Sequence, residues 1–159
     1  REEKEDLPLI DEFTGLYNRR GLLTIAHYQL KTAERLKRGM WMITVEIDNF
    51  DRIKKVLGAN AGKKAILESA DILRTTFRAS DVIAYIDEYE FAIIAVGALK
   101  DSANALKNRL LQKVKARNSQ AKSSYKLSIS VGMAYFNPEK PCTVEDLLAN
   151  ARSNALMNE

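Results

Sequence analysis

Leu22, Leu23, Ala26, Leu30, Ala33 and Leu36 fall on one stripe of a helix, because a period of about 3.6 residues brings positions three and four apart onto one face. Asn18 stands before the stripe as an N-cap, and Gly39 follows it as a stop signal. The apolar run Trp41 to Ile47 predicts a buried strand that ends in Glu46-Ile47-Asp48. A short helical piece runs from Asn49 to Gly58. Ala65, Ile66, Ala70, Ile72, Leu73 and Phe77 mark a longer helix after it. Two short runs rich in β-branched residues come next, Val82 to Ile86 and Phe91 to Val96, joined by Asp87-Glu88-Tyr89-Glu90. Ala103 to Ala116 is helical, with Ala105, Leu106, Leu110, Leu111 and Val114 inward, and Asn118 to Ser124 reads as a polar loop. Lys126 to Phe136 alternates through Leu127, Ile129, Val131, Met133 and Tyr135, which predicts a half-buried strand. Beyond Pro138 and Pro141, Thr143-Val144-Glu145-Asp146 supplies the N-cap and first turn of a last helix.

The order is helix, strand, helix, helix, strand, strand, helix, strand, helix. A hairpin set between strand–helix units matches a split βαβ arrangement. The fold class is therefore α/β (α+β), with an antiparallel-rich central sheet flanked by helices. The hairpin turn is unusual. Such turns carry Gly or Asn because those residues tolerate positive φ, and this one carries acids instead. Two readings follow. Either Asp87, Glu88 and Glu90 form a cation site with Glu46 or Asp48, or they face water as a polar edge.

Composition narrows the class. A chain of 159 residues makes one domain with a real core. The single cysteine, Cys142, has no internal partner, which fits a reducing, cytoplasmic compartment. No apolar run approaches the ~20 residues of a membrane span. The net charge is +4, and the excess lies between Lys31 and Lys64 and between Lys107 and Lys126. Aromatic residues are not interleaved with these basic positions, so they read as solvated helix faces and not as a nucleic-acid surface. His27 sits within a helix without a partner motif and reads as structural. Residues 1–8 are charged at the start and read as the end of a linker, with a single domain over 9–159 whose pattern stops inside a helix, as in a module cut from a longer signalling chain.

Several segments share one further likeness. Asp11-x-Phe13-Thr14-Gly15-Leu16-x-Asn18-Arg19-Arg20, Glu46-Ile47-Asp48-x-Phe50 with Ile53, Gly58 and Gly62, Asp81-Val82-Ile83-Ala84 before Asp87-Glu88-Tyr89-Glu90-Phe91, Ser128 to Ala134, and Leu147-Leu148-x-x-Ala151 occur in order along the chain. In that order and spacing they resemble the GGDEF (diguanylate cyclase) family, here as a degenerate member. The resemblance implies a nucleotidyl-cyclase, ferredoxin-like palm. It also implies condensation of two GTP molecules into cyclic di-GMP by two facing domains, each with divalent metal. Carried over residue by residue, the family's first metal Asp falls on Glu46 and its guanine-reading Asn and Asp fall on Lys54 and Lys63. The two signature glycines fall on Asp87 and Glu88, the essential middle acid falls on Tyr89, and Glu90 keeps its acid. Lysine only donates, so it cannot accept from guanine N1 and N2, and a neutral phenol is a poor magnesium ligand. Acids in place of the glycines would fill the space the nucleotide needs and repel a triphosphate.

Arg78-Ala79-Ser80-Asp81 matches the RxxD motif that in this family binds the product, cyclic di-GMP, as an inhibitor; Arg109 stands as a third contact. Arg can fork onto guanine O6 and N7, and Asp can accept from N1 and N2. The alternative is a salt-bridged turn from helix to strand. The resemblance thus points to a non-catalytic regulatory domain, with no catalytic residue set intact and no cofactor. It would couple flanking sensor or output domains, form a homodimer, or receive cyclic di-GMP. An active cyclase using magnesium, and a module that regulates an attached EAL phosphodiesterase, are the two alternatives.

Overall fold

The computed structural model describes residues 7–97, 99–120 and 123–157, so most of the expected linker end lies outside the described residues. The elements follow the expected order: α1 (Arg19–Leu36), β1 (Met40–Ile47), α2 (Phe50–Leu57), α3 (Ala59–Thr76), β2 (Val82–Asp87), β3 (Glu90–Val96), α4 (Ala103–Gln120), β4 (Ile129–Phe136) and α5 (Val144–Met157), with a 3₁₀ turn at Lys100–Ser102. The strands form one antiparallel sheet in the order β2-β3-β1-β4. This is the antiparallel-rich α+β sheet flanked by helices that the order of elements predicts.

Alternation along the strands sorts the core into two layers. Ile43, Val45 and Ile47 of β1 join Phe91, Ile93 and Ala95 of β3 and Val131 of β4 against α2, α3 and α4. Met40 and Met42 join Ala92, Ile94, Ala134 and Phe136 against α1 and α5. Both faces of the sheet are therefore covered. β4 is buried at Ala134 and Phe136 as well as at Val131, so the expectation of a half-buried strand failed because α5 occupies the face assigned to water. The strand also begins later than expected, at Ile129. α4 continues to Gln120, past the expected loop start at Asn118.

The caps are local consequences of sequence. The Asn18 side chain accepts from the Gly21 amide at 2.8 Å, and Thr143 Oγ1 accepts from the Asp146 amide at 3.0 Å. α1 stops at Lys37 in the left-handed region (φ 57°), two residues before Gly39, because its amide and that of Arg38 close onto the carbonyls of Glu34 and Ala33. Gly132 allows α5 to lie against β4: a Cβ there would stand 2.0 Å from the Ala151 carbonyl oxygen. That contact sets the height of α5 above the sheet and brings the next residue, Arg152, over the ends of β1 and β3.

Candidate functional site

The hairpin between β2 and β3 closes on Glu88 and Tyr89. It does so without positive φ at either residue, using a register shift between Tyr85 and Asp87. Four hydrogen bonds strap it down. Tyr85 Oη donates to the Glu88 carbonyl at 2.7 Å, the Glu88 amide donates to Asp87 Oδ1 at 2.8 Å, the Ile47 amide donates to the Tyr89 carbonyl at 3.0 Å, and the Lys54 ammonium donates to Glu88 Oε2. Burial, with Asp11, Glu88 and Asp87 nearby, pushes the Tyr85 phenol up to about 12.

On one side the hairpin leans onto α2. The Lys54–Glu88 ion pair spans the gap, and the hydrogen bond to Glu88 raises the Lys54 ammonium above its ordinary range. The Lys54 Nζ lies 5.4 Å from the Phe50 ring centroid, and the Phe50 and Tyr89 rings meet at 5.8 Å. Gly62 makes room for this arrangement, since a Cβ there would meet Lys54 Cγ at 2.7 Å. Lys63 is exposed and takes no part in it.

On the other side the hairpin is tied to α5. Glu90 is 4% exposed. Arg152 forks onto it, Nε to Oε2 at 2.8 Å and Nη2 to Oε1 at 2.7 Å, the bidentate geometry that makes such pairs strong. Glu46 is the cross-strand partner of Glu90. The bond to Glu90, then the charges of Glu90, Asp87 and Glu46, hold the Arg152 guanidinium above its ordinary value. Asp48 is bonded to β4 and its approach: its two oxygens accept from the Ser130 and Ser128 hydroxyls at 2.6 Å each. A water-facing acidic edge describes Asp87 and Glu88, which are exposed. It does not describe Glu90, which alternation turns inward beneath α5. Arg152 was not among the residues singled out from sequence. The signal for it was its place four residues after Leu148, on the inward side of the last helix.

The second candidate site lies at the opposite end of β2. Asp81 Oδ2 accepts from the Arg78 amide at 2.9 Å and Oδ1 accepts from the Val96 amide at 3.0 Å, while Arg78 Nη2 donates to the Val96 carbonyl at 3.2 Å. The turn is thus held by side chain–backbone bonds onto β3, and the guanidinium goes to a carbonyl instead of the carboxylate. Arg78 and Asp81 line a cavity of about 430 Å³ together with Arg74, Phe77, Gly15 and Tyr17. Arg74 was missed from sequence; its guanidinium also donates to the Thr14 carbonyl and pairs with Asp71. Arg109 is elsewhere: its Nη1 donates to the Thr76 carbonyl at 3.1 Å, at the end of α3, and it does not line the cavity.

With the palm and both turns in place, the comparisons decide the family. The diguanylate cyclase GGDEF domain model matches residues 9–158. The chain belongs to the GGDEF family. It is similar to a probable diguanylate cyclase, DgcC of Escherichia coli K12, with 32% identity over 129 residues, 81% of this chain and 35% of that protein. It thus spans about a third of that curated relative. The GGDEF domain of FimX from Pseudomonas aeruginosa superposes with a TM-score of 0.85 at 22% identity, covering 95% of this chain and 93% of that one. The GGDEF domain of DgcB from Caulobacter crescentus, solved in complex with c-di-GMP, superposes with a TM-score of 0.81 at 17% identity, covering 98% and 92%. At these identities the two structures show the fold. The chain is a GGDEF domain of the kind found in cyclic di-GMP signalling proteins.

Active GGDEF cyclases use magnesium, which requires several converging oxygens in near-octahedral array. The residues here do not fit it. Both Glu90 oxygens face the Arg152 guanidinium, whose positive charge opposes a metal ion there, and Tyr89 offers a phenol. Among the described residues no three His, Cys, Asp or Glu side chains converge to hold a metal.

Proposed function

We propose that this GGDEF domain is non-catalytic and serves as a regulatory module of a cyclic di-GMP signalling protein. The Lys54–Glu88 bridge carries this reading, because it joins the position that should read guanine to the position that should be a bare glycine beside the phosphates. A nucleotide entering between α2 and the hairpin would have to break that pair, part Phe50 from Tyr89 and displace an ordered turn. Lysine at 54 and 63 would then offer guanine no acceptor. Incubation with GTP and magnesium or manganese should give no cyclic di-GMP by chromatography. Product above a no-protein control that Glu46→Ala abolishes would overturn the reading. GTP and ATP should bind equally weakly in calorimetry, and micromolar binding with a clear preference for GTP would also contradict it.

A second observation favours reception of cyclic di-GMP. The cavity beside Arg78 and Asp81 has the volume of a small-ligand site, and the backbone clamp fixes both side chains at its wall. A carboxylate oxygen can accept more than one hydrogen bond, so Asp81 keeps capacity for guanine donors. The c-di-GMP complex of the Caulobacter DgcB domain supports this reading. Direct titration of the protein with cyclic di-GMP tests it; absence of binding at high protein concentration would leave a protein-interaction role.

A further inference from the structure

Arg152 is the feature of the hairpin site that the loss of nucleotide recognition does not by itself require. A degenerate site could leave its acids in water. This one instead buries Glu90 to 4% exposure, places Glu46 directly across the β1–β3 ladder from it, and leaves Asp87 at the adjoining strand end. Like charges directly opposite on neighbouring strands destabilise a sheet, and a buried carboxylate without a counter-charge is costly. The buried Glu90 carboxylate needs a cation. The only cationic side chain bonded to Glu90 among the described residues is Arg152, through both oxygens, and the close approach of α5 at Gly132 holds it there.

We propose that the Arg152 guanidinium is a built-in counter-ion in the place of a divalent cation, neutralising the buried Glu90 so that this carboxylate is satisfied without metal. The substitution follows from the misfit of magnesium described above, and it rests on the non-catalytic reading of the domain. Glu90, Asp87 and Glu46 all bear on the guanidinium and all hold it protonated, as expected for a permanent counter-ion. Arginine suits this role better than lysine, because its planar fork meets both carboxylate oxygens and it never loses its proton near neutral pH. The consequence is a GGDEF domain whose hairpin does not respond to the metal that an active member needs.

The experiment is thermal unfolding of the protein and its variants in MnCl₂ or MgCl₂, matched in ionic strength with NaCl. The wild-type midpoint should be the same with and without millimolar manganese. Arg152→Met, which keeps the apolar stem, should unfold several degrees lower, and millimolar manganese should recover part of that loss. The recovery should vanish in Glu90→Gln/Arg152→Met, where the fixed carboxylate is gone. Arg152→Lys keeps a charge and should show a smaller fall and no manganese response. Three results would overturn the proposal: a wild-type midpoint that manganese raises and Glu90→Gln abolishes, an Arg152→Met midpoint equal to wild type, or a lowered midpoint that manganese does not touch. Should Arg152→Met fail to fold, manganese binding to wild type and Glu90→Gln by calorimetry decides it, with no Glu90-dependent heat expected. A protein that makes no cyclic di-GMP yet binds manganese through Glu90 would remove this inference alone; one that makes product would remove the functional reading itself.

Discussion

The two ends of β2 have met the same problem in opposite ways. At the Asp87 end, the charged groups of the hairpin are matched by side chains from two helices, Lys54 on one side and Arg152 on the other. At the Asp81 end, the charged groups are matched by backbone, the amides of Arg78 and Val96 and the carbonyl of Val96. Side chains reaching across a cleft fill it. Backbone bonds running along a strand leave the cleft open, and a cavity of about 430 Å³ remains beside Arg78 and Asp81. The lesson is that charged residues at the two candidate sites are not alike: what counts is whether their partners come from across the site or from beneath it.

Removing a partner from each end should expose that difference. The largest effect is expected for Arg152→Ala, which strands Glu90 in the core. Breaking a buried pair by deleting one member costs about 3–5 kcal/mol; Arg152 is itself 38% exposed on its side chain, so about 2–3 kcal/mol is expected in urea unfolding. Glu90→Gln should cost clearly less, because the guanidinium it leaves can reach water. Equal costs would mean that the pair is not buried on one side as described.

At the other end, Arg78→Ala should weaken cyclic di-GMP binding about 10- to 100-fold, the equivalent of one charge-assisted hydrogen bond of about 1.5–3 kcal/mol, with little change in stability. Asp81→Ala should weaken binding likewise and also cost about 1–2 kcal/mol of stability, since two backbone amides lose their acceptor. If both variants bind as well as wild type in calorimetry, the turn is only a clamp.

A smaller effect should appear at high pH. Tyr85 ionises at about 12 in the folded chain against 10.0 for a free phenol. A raised folded value means that its contribution is complete below pH 10 and is lost as the pH climbs toward about 12. Relative to Tyr85→Phe, the wild type should lose stability across that window and at no lower pH. The smallest effect is expected for Lys54→Ala, a solvent-exposed pair that should leave the unfolding midpoint unchanged. It should not restore nucleotide binding, because Asp87, Tyr89 and the Glu90–Arg152 pair remain.

Most of the fold was legible in the sequence because each element carries its own period and cap: the α1 stripe behind Asn18, the β-branched runs of the hairpin, the Thr143–Asp146 cap of α5. The end of α1 at Lys37 was not, since a left-handed lysine is stabilised by carbonyls of the preceding turn and leaves no residue signature. The burial of β4 on both faces was also hidden, because Ala134 is too small to announce that α5 lies on it. At the site, the acids of the hairpin and Lys54 stand plainly in the chain, but the pairs they make do not. Lys54 meets Glu88 across 34 residues and Arg152 meets Glu90 across 62. Such pairs exist only once α2 and α5 have docked on the sheet.

The most direct test of an internally satisfied hairpin is an amide NMR spectrum of the wild-type protein titrated with manganese and GTP together. Paramagnetic manganese broadens amides near wherever it settles. The expected result is that the resonances of residues 46–54 and 86–91 keep their intensity up to millimolar manganese and GTP. Selective loss of those resonances, centred on Glu46 and Glu90, would contradict the account.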